Sequence, residues 1–316
     1  MKLGAIDCGT NTALLLIADW TEGTAPRLRR ITDHLEMPRL GQGLDRSGRL
    51  QPEAIARTLD ALRRQRDRAR AAGVQHLIAI ATESVRAAAN GAEFLAAAAA
   101  PDVGVPLRVI SGEEEARLSY RSVAESVVAA GDGWRSVLDI GGGSTELIVG
   151  QGRTLTAHRS VPIGSVRLTE RLVHHDPPSA DEHAALIATI DDAIDKLPPP
   201  RGDLIALAGT ATTVAALHLG DSMPTYDPDR VDGMRLPVDA LRTWVARLRD
   251  TPVPSRLKLP GLDPRRADVI YAGAMILWRM AERAAVSSVI ISDRGVRWGA
   301  LEELVDTLQA RDPASA

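Results

Sequence analysis

Lysine is almost missing from this chain: only Lys2, Lys196 and Lys258 stand among 38 basic residues. No Gly-Lys-Ser/Thr sequence occurs, which excludes a Walker-type phosphate loop. Any polyanion held by side-chain charge must therefore be held mainly by arginine. Cysteine is reduced to Cys8, so neither an internal disulfide nor a multi-cysteine zinc site can form. Long apolar runs are absent too. The alanines from Ala96 to Ala100 lie between Glu93 and Asp102, too few to cross a bilayer. The opening MKLGAIDCGTNT has one basic residue and a short apolar stretch before Asp7. That is too little for a signal peptide, and a cytoplasmic address is expected. What is present is 316 residues, 45% hydrophobic and 25% charged, with a net charge of -3. Such a balance suits a soluble globular protein of one large domain or two ordinary ones.

Periodicity gives the same order of elements twice. Strands are predicted near 2–7, 12–19 and 26–38, then a helix at 52–72, a strand at 76–82, a helix at 86–98, a strand at 105–110 and a helix at 113–127. The arginine-rich run from Arg63 to Arg70 reads as a solvated continuation of the first helix. The second half restarts at Ser136, with strands near 136–140, 144–150 and 154–161. A helix at 179–197 follows, opened by a Ser179–Glu182 capping box. Then come a strand at 203–208, helices near 210–218, 237–250 and 265–284, a strand at 288–292 and a last helix at 296–309.

The openings of the two halves align: LGAIDCGTNTALLLIAD and SVLDIGGGSTELIVG. Each reads strand, aspartate, small turn, hydroxyl or amide, strand. Glycine is costly to order and gives a sheet nothing to pack, yet three are consecutive in the second turn. Glycine turns let backbone N–H groups approach phosphate oxygens closely. The candidate phosphate-binding residues are therefore Gly9, Thr10, Asn11 and Thr12 in one turn and Gly141, Gly142, Gly143, Ser144 and Thr145 in the other. Asp7 and Asp139 end the two first strands, where carboxylates can hold magnesium directly or through water. Glu146 is a third candidate metal ligand.

At these residues the sequence resembles the acetate kinase, sugar kinase, heat-shock-70 and actin superfamily. Within it the chain is most similar to the exopolyphosphatase / guanosine pentaphosphate phosphohydrolase family. The resemblance is carried by ATESVRAAAN, VISGEEEARLSY, LDIGGGSTELIVG, PIGSVRLTE, LAGTATTVAAL, RADVIYAGA and SDRGVRWG. It implies an α/β fold of two ribonuclease-H-like domains facing an interdomain cleft. The expected domains are 1–121 with 297–316, and 122–296. The chain resembles the short two-domain form of the family, which puts processivity on long polymers in question. The implied activity is magnesium-dependent hydrolysis of terminal orthophosphate from inorganic polyphosphate, with guanosine pentaphosphate as the rival substrate. Arg86 matches a family arginine that contacts phosphate. Thr10 and Thr12 replace common serines and keep the hydroxyl. Asp232 stands where histidine is frequent and receives no role.

The three glutamates after Ser111 must be told apart. Ser111 to Glu114 has capping-box spacing, which gives Glu114 a structural task. Glu113 can complement the helix dipole. Glu115 matches the family's catalytic glutamate, and a helix N-terminus favours its ionised form, suited to a base. The pair His174–His175 with Asp176 precedes two prolines and has no third ligand at useful spacing, so no metal role is assigned. LAGTATTVAAL is either an adenosine-contacting turn or a plain strand–helix junction. A small sugar kinase would need a cysteine-rich zinc motif this chain cannot build. An actin-like filament protein would not need SGEEEARL. No nucleic-acid or membrane partner is expected, and a homodimer is compatible with the sequence.

Overall fold

The computed structural model describes residues 1–23, 26–126, 131–220, 223 and 226–311. The expected end of a helix at Val127 lies outside these residues. The fold is mixed α/β with two sheets. It divides into two compact units, Met1–Val127 with Gly295–Ala316, and Val128–Arg294. Among the described residues no helix is long and apolar enough to cross a membrane.

The first unit contains β1 (Lys2–Cys8), β2 (Ala13–Trp20), β3 (Leu28–Glu36), α1 (Leu44–Ser47), α2 (Pro52–Ala71), β4 (His76–Ala81), α3 (Glu83–Ala87), α4 (Gly91–Ala99), β5 (Arg108–Val109) and α5 (Gly112–Ala124). Its sheet has the order β3-β2-β1-β4-β5. β1, β2 and β3 form an antiparallel meander, whereas β4 and β5 run parallel to β1. Alternation along β1 sends Ile6 and Cys8 to one face and Leu3 and Ala5 to the other. The first face packs with Leu62 and Phe94 from the helices. The second packs with Trp298, Leu301 and Val305 of the C-terminal helix, Val296–Arg311. That helix is also clasped by charge. Arg27 reaches Glu302 at 2.8 Å and Asp306 at 2.9 Å, and Arg121 reaches Asp306 at 2.6 Å. A β-carbon on Gly299 would lie 2.0 Å from the Leu118 carbonyl oxygen, so the C-terminal helix and α5 meet backbone to backbone.

The single helix expected at 86–98 is two helices. Asn90 separates them because its carboxamide accepts from Leu50 N–H (2.8 Å) and donates to Leu50 O (3.0 Å). That clamp to a distant loop outweighs the local helix preference of the alanines around it. The arginine-rich run is not a wholly solvated face either. Gln65 within it is fully buried and donates to Ala13 O at 2.7 Å, while Arg64 and Arg68 pair with Glu36.

The second unit repeats the winding. It contains β6 (Trp134–Ile140), β7 (Thr145–Gln151), β8 (Thr154–Val161), α6 (Ser165–Leu172), α7 (Ala180–Ile194), β9 (Asp203–Leu207), α8 (Ala208–Leu219), α9 (Pro228–Val231), β10 (Arg235–Pro237), α10 (Val238–Asp250), α11 (Val253–Arg256), α12 (Ile270–Arg283) and β11 (Ser288–Ile291). The sheet order is β10-β11-β9-β6-β7-β8. β6, β9 and β11 are parallel, as β1, β4 and β5 are. Sequence periodicity does not predict α6 or the short edge strand β10.

Ser179 and Glu182 form the complete capping box at the head of α7. The HHD segment serves the same region. His175 Nδ1 lies 2.9 Å from Glu182 Oε1, and Asp176 accepts from Val253 N–H at 2.9 Å. Burial alone would raise the Glu182 pKa, but bonds from Ser179 N–H, His175 and His174 N–H pull it from 4.5 to about 2. The folded state therefore holds this carboxylate ionised at pH values where the unfolded chain is already protonated. Its contribution is fully present above about pH 4.5 and is lost as pH falls towards 2. Urea midpoints taken at pH 6, 4 and 3 should fall less steeply in Glu182→Gln than in the parent. Parallel slopes would remove Glu182 from the acid response.

Candidate active site

In both units the candidate residues gather at the carboxyl ends of the parallel strands, the edge where open α/β sheets bind ligands. In the first unit Cys8, Ala81 and Val109 are neighbours in register. The turn Gly9–Thr12 leaves β1, α3 leaves β4, and α5 leaves β5. Two main-chain bonds tie these exits together, Thr82 N–H to Cys8 O (3.3 Å) and Ile110 N–H to Ala81 O (3.0 Å), while Arg86 N–H to Thr82 O (3.2 Å) closes the first turn of α3. The turn is closed by Gly9 N–H to Thr12 O at 2.9 Å. Asn11 within it is only 5% exposed, and neither Oδ1 nor Nδ2 has a hydrogen-bond partner. A buried carboxamide left without a protein partner is costly.

The three glutamates of α5 separate cleanly. Glu113 is exposed. Glu114 donates its N–H to Ser111 Oγ at 3.1 Å, but its carboxylate pairs with Arg108 at 2.5 Å. Half of the expected capping box is therefore made, because a strong cation competes for the acid. Glu115 is the most buried of the three, its side chain 12% exposed, and its Oε2 lies 3.4 Å from Arg86 Nη1. The same Nη1 donates to Ile110 O at 2.7 Å. Arg86 is thus anchored at the strand end and faces Glu115 across the head of α5. Burial pushes the neighbouring Cys8 thiol well above its ordinary value, with Asp7 adding to the effect, so Cys8 remains an inert thiol packed under the turn.

In the second unit the glycine turn is tightened from a direction the sequence does not reveal. Gly141 N–H donates to Ser144 O at 3.0 Å. The head of α6 then docks on the turn: Ser165 N–H reaches Gly141 O, and Val166 and Arg167 N–H reach Gly142 O, each at 3.0 Å. Arg167 Nη1 adds a bond to Gly143 O at 2.6 Å. Gly164 makes this approach possible, since a β-carbon there would lie 2.5 Å from Gly142 C and O. Thr145 Oγ1 donates to Ile163 O at 2.7 Å. Asp139 and Glu146 are direct cross-strand partners, so their carboxylates share one face. Glu146 is 4% exposed, and its Oε1 accepts from Ser160 Oγ at 2.6 Å. Asp232 also has a place: its Oδ1 accepts from Ser292 Oγ (2.7 Å) and Asp293 N–H (3.0 Å) and so pins the turn after β11. Among the described residues no cluster of three or more metal-ligating side chains is gathered.

Two alike-wound sheets, each with an aspartate and a small-residue turn at the parallel edge, define a protein of the actin-like α/β class. The chain belongs to the Ppx/GppA phosphatase family, whose model matches residues 16–308. It is 35% identical over 309 residues to exopolyphosphatase 2 of Mycobacterium tuberculosis, covering 93% of this chain and 96% of that one. It is 29% identical to the guanosine-5'-triphosphate,3'-diphosphate pyrophosphatase of Vibrio parahaemolyticus, covering 98% of this chain and 60% of that protein. The crystal structure of the Aquifex aeolicus family member superposes with a TM-score of 0.81 at 33% identity, covering 97% of this chain and 98% of that one.

Proposed function

We propose that this protein is an exopolyphosphatase that removes terminal orthophosphate from inorganic polyphosphate with magnesium. The observation that carries the reading is the Arg86–Glu115 pair at the head of α5, beside a phosphate-type turn with an unsatisfied Asn11. The match to a mycobacterial exopolyphosphatase along nearly its full length supports the choice of substrate. Hydrolysis of guanosine pentaphosphate is the second reading, supported by the Vibrio relative.

Glu115 would act on water. A carboxylate at a helix N-terminus and next to a guanidinium is held ionised and oriented. It takes a proton from the water whose oxygen attacks the terminal phosphorus, and the P–O bond to the remaining chain breaks. N–H groups of the glycine turns bind phosphate oxygens without a β-carbon in the way.

Asp139 and Glu146 fit a divalent cation. Like charges directly opposite on neighbouring strands destabilise a sheet, and a hard cation with oxygen ligands removes that repulsion. Magnesium held there would supply charge neutralisation to the phosphoryl group.

Orthophosphate release should be measured with magnesium from short polyphosphate, long polyphosphate, guanosine pentaphosphate and ATP side by side. Turnover of guanosine pentaphosphate alone would replace the first reading with the second, and release from none would remove both. In the same assay Arg86→Ala should weaken polyphosphate use by about 1.5–3 kcal/mol, the scale of a charge-assisted phosphate contact. The loss should shrink at high salt. Equal kinetics at low salt would leave Arg86 with only its contacts to Ile110 O and Glu115.

A further inference from the structure

Among the described residues, three that are not glycine have positive φ: Arg39 (55°), Ala208 (64°) and Ala285 (51°). Ala285 directly follows the C-cap of α12 and donates to Glu282 O, where a left-handed residue is an ordinary helix ending. Arg39 follows no helix. It lies in the segment between β3 and α1, and that segment is laid against the Gly9–Thr12 turn. Arg39 N–H donates to Asn11 O at 3.2 Å, and Gly41 N–H donates to Thr10 O at 2.8 Å. The fit is tight, for a β-carbon on Gly41 would lie 2.3 Å from Thr10 Cγ2. From the other side Arg57 fixes the segment by donating to Pro38 O and to Gln42 Oε1, each at 3.0 Å.

Pro38 and Leu40 are both buried, whereas Arg39 between them is partly exposed. Glycine would make this bend without a steric cost, so what arginine adds at this position lies in its side chain. Bulky residues persist in left-handed conformation where the surroundings over-determine them, and such positions cluster at ligand sites. An independent observation points the same way: the residue whose carbonyl receives Arg39 is Asn11, whose buried carboxamide has no partner.

We propose that Arg39 is a substrate-binding residue, its guanidinium neutralising a phosphoanhydride chain at the Gly9–Thr12 turn. This rests on the phosphoanhydride reading above and adds a residue to it.

Arg39→Gly separates the side chain from the backbone, since glycine keeps the bend. Its melting temperature should stay within about 3 °C of the parent. Its KM for polyphosphate should rise about 10- to 100-fold, as for a lost charge-assisted contact, with kcat little changed. Arg39→Asn, which also tolerates positive φ, repeats the test should the glycine variant fold poorly. Arg39→Lys should recover part of the affinity, having the charge without the planar fork. Calorimetric binding of tripolyphosphate, free of turnover, completes the set. Unchanged KM and tripolyphosphate affinity in folded Arg39→Gly or Arg39→Asn overturn the proposal while leaving the hydrolase reading intact. A parent that hydrolyses none of the substrates but binds tripolyphosphate, with binding lost in Arg39→Gly, keeps the Arg39 site and removes the hydrolase. A parent that does not bind tripolyphosphate overturns both.

Discussion

Glu115→Gln is expected to lower kcat for polyphosphate by roughly 10²–10⁴-fold, the usual scale for a lost general base, with KM close to the parent value. The change is isosteric and keeps an oxygen facing Arg86, so the head of α5 and the bond from Arg86 to Ile110 O should survive. What is lost is the charge proposed to accept a proton from water. Glu114→Gln is the sharpest control, being one residue away on the same helix turn. Its contribution to the cap is a backbone N–H to Ser111 Oγ, which glutamine retains. Only the ion pair with Arg108 disappears, and a partly exposed pair contributes about 1 kcal/mol or less. Glu113→Gln should change little, since that side chain is exposed. Steady-state kinetics and melting curves of the three variants decide the matter. If Glu115→Gln stays within a few-fold of the parent while Glu114→Gln is inactive, the base has been assigned to the wrong glutamate.

The repeated strand–aspartate–turn–strand was legible because both of its signals are local. Two-residue alternation marks the strands, and glycines between matched apolar runs mark the turns. From the same local symmetry the pairing of Asp139 with Glu146 follows once the turn is centred on Gly142 and Gly143. The identity of Glu115 came from resemblance, and its partner did not come from the sequence at all. Arg86 and Glu115 are 29 residues apart and meet only because β4 and β5 end side by side. The helix break at Asn90 had the same cause, a bond to Leu50 from 40 residues away. Glu114 was misread in part because Arg108, across the β5–α5 junction, competes with the capping box for its carboxylate. In each case a tertiary partner decided what a local preference left open.

Gly164→Ala should be the most damaging glycine substitution in the second unit's turn region, although nothing in its backbone conformation asks for glycine. Gly164 has φ −157° and ψ 166°, an extended geometry any residue adopts. The obstacle is space. A β-carbon would lie 2.5 Å from both C and O of Gly142 and 2.6 Å from Gly143 N, and all three are backbone atoms with no rotamer to change. Nor can the head of α6 retreat freely. It is stapled to the turn by three main-chain bonds and by Arg167 Nη1 to Gly143 O. Either these bonds break or the glycine turn shifts. Overpacking of this kind costs about 1–3 kcal/mol, and a displacement near 1 Å at a phosphate-positioning turn can cost about 10²-fold in rate. Gly141→Ala should be milder, because its β-carbon would meet only Ser144 O, at 3.3 Å. Gly133→Ala, with nothing within 4 Å, should behave as the parent. The measurement is kcat/KM per folded molecule, with folding checked by melting temperature in each variant. A folded Gly164→Ala enzyme with parental kcat/KM would show that α6 can move off the turn without consequence, and that the close approach of Gly164 to Gly142 does not set the phosphate site.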